Sequence, residues 1–123
     1  MKALILFAHG ARSPLWAEPF QRLQQITQQQ LPDVAVHLAF LELMPPALPE
    51  LVAQLITQGC STITVVPVFL GQGGHIQRDL PRLIQALSLQ YPAVRFHMAA
   101  PVGENPDVLQ AIARYCIQAV LIE

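Results

Sequence analysis

A chain of 123 residues, 53% hydrophobic and 12% charged, is sized for a single domain, 1–123, that buries roughly two-thirds of its unfolded surface. A formal net charge of −1 gives no global basis for binding nucleic acid or an anionic membrane, and no apolar run reaches the roughly 18 residues that span a bilayer. Cys60 and Cys116 are too few for a disulfide framework, the first reading as a helix-end residue and the second as core; no secretory pattern follows Met1-Lys2, so the expected compartment is the cytoplasm.

Lys2 to Ala8 is an apolar run that reads as a buried strand, and His9-Gly10-Ala11-Arg12-Ser13-Pro14 leaves its carboxyl end. Ser13 and Pro14 suit the cap and first residue of a helix whose apolar stripe is Trp16, Phe20, Leu23 and Ile26, and Pro19 predicts a late start or a kink. Gln28-Gln29-Gln30 reads as a solvated helix end. After the turn signal Leu31-Pro32-Asp33, Val34 to Leu41 is a second strand, which ends in Glu42. Leu48, Leu51, Val52, Leu55 and Ile56 form the stripe of the next helix, and Gly59 fits the position just past its end.

Ile63 to Leu70 is apolar without alternation, which predicts a strand buried on both faces. Its exit is Gly71-Gln72-Gly73-Gly74-His75, and a helix carrying Ile76, Leu80, Leu83, Ile84 and Leu87 follows as far as Tyr91-Pro92. Arg95 to Ala100 is a fourth strand. Pro101 to Pro106 leads into a last helix with Leu109, Ile112, Cys116 and Val120 in one stripe.

Strand and helix thus alternate four times with short connections, which implies a parallel sheet with right-handed crossovers and helices on both faces. Ligands of such sheets lie outside the carboxyl ends of the strands, where His9, Glu42 and His75 all fall. Two imidazoles and a carboxylate suit a borderline divalent ion and leave coordination positions open for a substrate. Gly73 and Gly74 let a ligand approach the backbone, and Asp79, four residues past His75, is placed to orient its ring. His37 and His97 read as structural.

A noncatalytic metal or tetrapyrrole carrier would need the same ligands. A nucleophilic histidine of the histidine-phosphatase type fits less well. That motif has arginine where this chain has Ala8, and 7 Lys plus Arg give little cationic support for a transferring phosphoryl group.

Taken together, these residues resemble the small, single-domain sirohydrochlorin cobaltochelatases of the CbiX type. The resemblance runs nearly end to end. It rests on His9-Gly10-Ala11-Arg12-Ser13-Pro14, on Glu42, on Pro67-Val68-Phe69-Leu70-Gly71 through Gly74-His75 and Asp79-Leu80-Pro81, and on Pro101-Val102-Gly103 with Pro106 and Arg114. The family pattern usually has serine at Ala11 and aspartate at Ser13, departures that touch loop hydrogen bonding rather than the expected ligands.

The resemblance implies an α/β fold, a three-layer α/β/α chelatase-like domain whose four-stranded parallel sheet has the order 2-1-3-4. It implies insertion of a divalent metal into sirohydrochlorin on the way to cobalamin, with no nucleotide and no tightly bound cofactor. Cobalt(II) is the expected metal, and nickel or iron would accept the same donors. His9 and His75 are then the metal-binding and proton-accepting residues, with Glu42 their acidic partner. Substrate carboxylates are expected to meet Arg12, Arg78 or open backbone N–H groups beside Gly73 and Gly74, and the flat ring to rest on Phe69, Leu70, Leu43 or Met44. Longer chelatases hold two such domains face to face, so a homodimer is expected.

Overall fold

A computed structural model describes residues 1–71 and 73–122, leaving Gln72 and Glu123 outside the described residues. The apolar runs become β1 (Lys2–Ala8), β2 (Val34–Phe40), β3 (Thr62–Pro67) and β4 (Arg95–Met98), which lie parallel in the order β2-β1-β3-β4. The register sets Ile5 beside His37 and Val65, and Phe7 beside Ala39 and Pro67, so the odd positions of β1 continue as rows across one sheet face.

Two helices cover that face. α2 (Leu48–Thr57) buries Leu48, Leu51, Val52 and Leu55, and α3 (Gly74–Gln90) buries Leu80, Ile84 and Leu87. Together with Ile5, Phe7, Ile63 and Val65 these side chains form the main core, where each large apolar group contributes roughly 1.5–3 kcal/mol. α2 stops where expected: Gly59, just past its end, has φ of 98°.

The opposite face is built by α1 (Glu18–Gln30). Pro14–Ala17 form a 3₁₀ turn and α1 starts only at Glu18, so Pro19 falls in the first turn, where no helical N–H is lost. Trp16 and Phe20 pack with Phe40, Ala8 and Ala17 in a second, smaller cluster. The glutamines at the end of α1 are not merely solvated. Gln24 donates to the Val36 carbonyl at 2.8 Å, while Gln28 donates to that of Val34 at 2.7 Å and accepts from the Val36 N–H at 3.0 Å. They satisfy the outer edge of β2, a row of backbone groups that would otherwise stand open.

Four expectations fail on this side, and for one reason. Leu23 and Ile26, placed on the buried stripe of the first helix, are exposed, and so is Cys116, read as core. α4 (Pro106–Leu121) buries none of its residues. β3, expected to be buried on both faces, buries Ile63, Val65 and Pro67 but leaves Thr62, Thr64 and Val66 half-buried. α4 is the layer that would cover β3 and β4 here, and it leaves the domain instead. On this side the sheet is therefore covered over β2, where α1 packs, and bare over β3 and β4. Among the described residues no helix is long and apolar enough to cross a membrane.

Candidate functional site

The site grows out of the place where β1 and β2 end together. Pairing continues beyond the strands: the Leu41 N–H donates to the Ala8 carbonyl at 2.9 Å and the Glu42 N–H to that of His9 at 3.1 Å. The side chains that follow are thereby held at one height on the sheet's carboxyl edge. Gly10 makes the closure possible. Its φ is 96°, in the left-handed region, and a Cβ built on it would run into the Glu42 carbonyl oxygen.

On this frame the His9 Nε2 lies 3.2 Å from Glu42 Oε1, with the two side chains 49% and 54% exposed. With Nε2 protonated, the imidazole donates and the carboxylate accepts. An exposed pair of this kind contributes no more than about 1 kcal/mol to folding, so stability is not what it supplies. The His9 ring stands edge-on to Phe69, centroids 6.4 Å apart, and Phe69 in turn stands edge-on to Phe7 at 6.0 Å. Phe7 lines a cavity of about 140 Å³ together with Leu41, His75, Asp79 and Leu80. Two buried aromatic rings thus connect the His9–Glu42 pair with the cavity that His75 borders.

The structure brings His9 and Glu42 into contact and sets His75, the second residue of α3, in that neighbouring cavity. Among the described residues no three His, Cys, Asp or Glu side chains group closely enough to enclose a metal ion. The carboxyl edge therefore carries an imidazole–carboxylate pair and a separate imidazole, not a closed three-ligand cage. Asp79 lines the same cavity as His75. A larger hollow of about 220 Å³ between α3 and β4, bordered by Ile76, Met98 and Glu104, holds no imidazole.

Gly73 caps α3 with φ −73° and ψ 164°, extended backbone open to any residue, so positive φ is not its role. The space a side chain would fill at Gly73 is empty, as it is at Gly71, which leaves the backbone at the start of α3 open to approach. Arg12 is exposed in the loop after His9, and the exposed Arg78 carries its guanidinium back to within 4.0 Å of the Cβ position at Gly74. Of the four residues expected to support a flat ring, Phe69 is core and Met44 packs against the second cluster, whereas Leu43 and Leu70 are 57% and 64% exposed at the rim. His37 is half-buried in β2, and His97 is exposed on β4.

Sequence reasoning missed the part played by Gly10. The signal was present, since a glycine directly after the last residue of a buried strand and its histidine is where two chain segments can close on each other.

The CbiX family model matches residues 3–119. A sirohydrochlorin cobaltochelatase of Methanocaldococcus jannaschii is 38% identical over 84 residues, which is 68% of this chain and 59% of that protein. The chain thus spans less than two-thirds of that relative's length. The crystal structure of a putative cobalamin biosynthesis CbiX protein from Marinobacter aquaeolei is 31% identical, with a TM-score of 0.87 and full coverage of both chains. The sirohydrochlorin chelatase SirB of Bacillus subtilis subspecies spizizenii, solved in complex with cobalt, is 27% identical with a TM-score of 0.72, and this chain matches 51% of it. A family match over nearly every residue and an architecture shared from end to end lead to one assignment: the chain belongs to the CbiX family.

Proposed function

We propose that this chain, acting as one chelatase-like domain over 1–123, inserts a divalent metal into sirohydrochlorin, with cobalt(II) as the metal. The observation that carries this reading is the His9–Glu42 pair held open at the sheet edge, beside the cavity of His75 and the exposed Leu43 and Leu70. Relatives named sirohydrochlorin cobaltochelatase and a half-matching SirB bound to cobalt support it.

Metallating the macrocycle requires two pyrrole protons to leave while the ion exchanges water for ring nitrogens. A base and a metal perch must therefore stand close together on an edge that a flat ring can reach. If His9 donates its Nε2–H to Glu42, its Nδ1 keeps a free lone pair for the metal, and the carboxylate fixes the ring's orientation. His75, which is exposed, then accepts the two pyrrole protons one after the other and releases each to solvent. Nickel and iron satisfy the same donors, so the preference for cobalt rests on the named relatives and not on the ligand set. Leu43 and Leu70 offer the ring an apolar rest. Arg12, Arg78 and the N–H groups following Gly73 and Gly74 meet its peripheral carboxylates, which a helix N-terminus also favours. No nucleotide and no resident cofactor enter this scheme.

The half-length match to SirB supports a working unit of two chains, a homodimer. Free thiols at Cys60 and Cys116 fit a reducing compartment, the cytoplasm.

The test is anaerobic incubation of purified protein with sirohydrochlorin and cobalt(II), following the tetrapyrrole absorption. Insertion faster than the uncatalysed rate, with many turnovers per chain, supports a chelatase. Binding of ring and metal without turnover would make the protein a carrier. Glu42→Gln is expected to weaken metal binding at the edge by about tenfold, because an amide neither holds the imidazole tautomer nor supplies charge; losing an outer partner of a metal-bound histidine typically costs 10–100-fold. Titration with cobalt(II) checks this, and unchanged affinity together with an unchanged insertion rate would take Glu42 out of the scheme.

A further inference from the structure

We propose that Leu43 is the side chain that seats the flat face of the macrocycle against the metal, and that the chain keeps a leucine there against the preference of its own backbone. The inference rests on the chelatase reading above and deepens it, naming the residue that sets the ring beside the His9–Glu42 pair.

The backbone around Leu43 leaves little freedom. The Glu42 N–H donates to the His9 carbonyl at 3.1 Å, and the Glu42 carbonyl lies so close over Gly10 that no Cβ fits between them. Met44 packs against the cluster of Phe40, Ala8 and Ala17, and the Phe40 N–H donates to the Pro46 carbonyl at 2.9 Å, which ties the loop back to its own strand. The step from Glu42 to Met44 is therefore made in a three-residue reversal. The Met44 N–H donates to the Glu42 carbonyl at 2.8 Å, around a Leu43 whose φ is 66°. A hydrogen bond of that span about a positive φ is a γ-turn of the rare, strained hand.

Leucine is the wrong residue for this turn. The left-handed region brings Cβ against the following carbonyl oxygen, so such a position ordinarily takes glycine, or asparagine and aspartate after it. Among the described residues Leu43 is the one non-glycine with positive φ. Packing does not offset the strain: the side chain is 57% exposed and belongs to neither core cluster among the described residues. A bulky group held in a strained turn and unused by the fold is used by something outside the fold, and local rules are broken in this way at functional positions.

Its neighbours decide what that is. Leu41 lines the His75 cavity, and the Glu42 carboxylate meets His9 Nε2 at 3.2 Å. Three consecutive residues thus border the base, hold the metal's imidazole and present an apolar knob beside both. A hydrated ion or an anionic group gains nothing from that knob. A flat apolar surface that turns nitrogen donors toward the metal does, and the tetrapyrrole face is such a surface. Because seat and perch belong to one tied turn, the ring is held at a fixed distance from the ion, which is what the rate of insertion depends on.

The experiment compares Leu43→Gly, Leu43→Ala and Leu43→Met with the unaltered protein. It reads the denaturant midpoint, the sedimentation mass, the affinity for metal-free sirohydrochlorin, the affinity for cobalt(II) alone, and insertion at saturating ring and metal. Leu43→Gly is expected to unfold at no lower denaturant concentration than the unaltered protein, and Leu43→Ala below Leu43→Gly, because only glycine relaxes the turn. Both are expected to bind the ring about tenfold more weakly, the scale of one lost leucine contact, and to insert cobalt about tenfold more slowly at saturation, with cobalt(II) affinity and mass unchanged. Leu43→Met, of similar apolar volume, is expected to restore ring affinity.

An unaltered protein that binds no sirohydrochlorin overturns this inference together with the chelatase reading. An active unaltered protein whose Leu43→Gly variant binds and inserts equally well overturns the inference alone. So does weaker ring binding with full insertion at saturation, since the ring then finds the metal without this seat. Lost stability in Leu43→Gly would give the leucine to the fold, lost cobalt(II) affinity would give it to Glu42, and an altered mass would give it to a contact between copies; each overturns the proposal.

Discussion

Replacing His75 with alanine is expected to remove nearly all catalysed insertion of cobalt(II) into sirohydrochlorin while the chain keeps its fold. His75 is exposed in the first turn of α3, and the helix is anchored by Leu80, Ile84 and Leu87, which the substitution does not touch. A positioned general base is worth about 10²–10⁴ in rate, and the variant is expected to lose that much. His9→Ala is expected to fail at an earlier step. It removes the imidazole that Glu42 orients, so metal affinity falls along with insertion. Absorption kinetics under anaerobic conditions, at limiting and at saturating cobalt(II), distinguish the two variants: excess metal partly restores His9→Ala and does not restore His75→Ala. If either variant inserts metal at the unaltered rate, that histidine has no part in the reaction.

Much of this edge could be read from the residue order, because parallel strands joined by short crossovers put every carboxyl end on the same side. His9, Glu42 and His75 needed only that rule to be placed on one edge of the sheet. The rule fixes a side of the sheet and says nothing about which side chains touch. Contact between His9 and Glu42 depends on backbone pairing that runs past the strands, and on Gly10 admitting it. The main core was legible for a similar reason, since α2 and α3 fold back over the strands that precede them.

The second layer was not legible. The apolar stripe of α4 predicts a helix buried on its own sheet, and in the structure the helix is exposed. Periodicity carries no information on whether Asn105 and the flanking prolines send a helix back over its own sheet or away from it. The misplacement of Leu23, Ile26, Cys116 and one face of β3 follows from that single ambiguity. The glutamines of α1 show a different limit. A run of Gln looks solvated by composition, yet Gln28 lies beside an unpaired strand edge and uses both ends of its amide.

Gly10→Ala is expected to lower insertion by about 10²-fold, far beyond its effect on stability, and Gly59→Ala provides the comparison that isolates the cause. Both glycines have positive φ, 96° and 98°, so both alanine variants carry the same kind of backbone cost, about 1–2 kcal/mol. They differ in what the new methyl group meets. At Gly59 nothing lies within 4 Å, and the position is at the far end of α2 from the site. At Gly10 the methyl collides with the Glu42 carbonyl, and the Glu42 loop must move off the His9 loop to make room. A displacement of an ångström at reacting groups is enough for a loss of this size. Gly59→Ala is therefore expected to unfold at lower denaturant concentration with insertion unchanged. Gly10→Ala is expected to lose at least as much stability and, under conditions where it remains folded, to lose both cobalt(II) affinity and insertion. Equal stability losses with equal, undiminished insertion rates would mean that the closure of His9 on Glu42 is incidental to the chemistry, and metal and proton would then have to be handled from the His75 cavity alone.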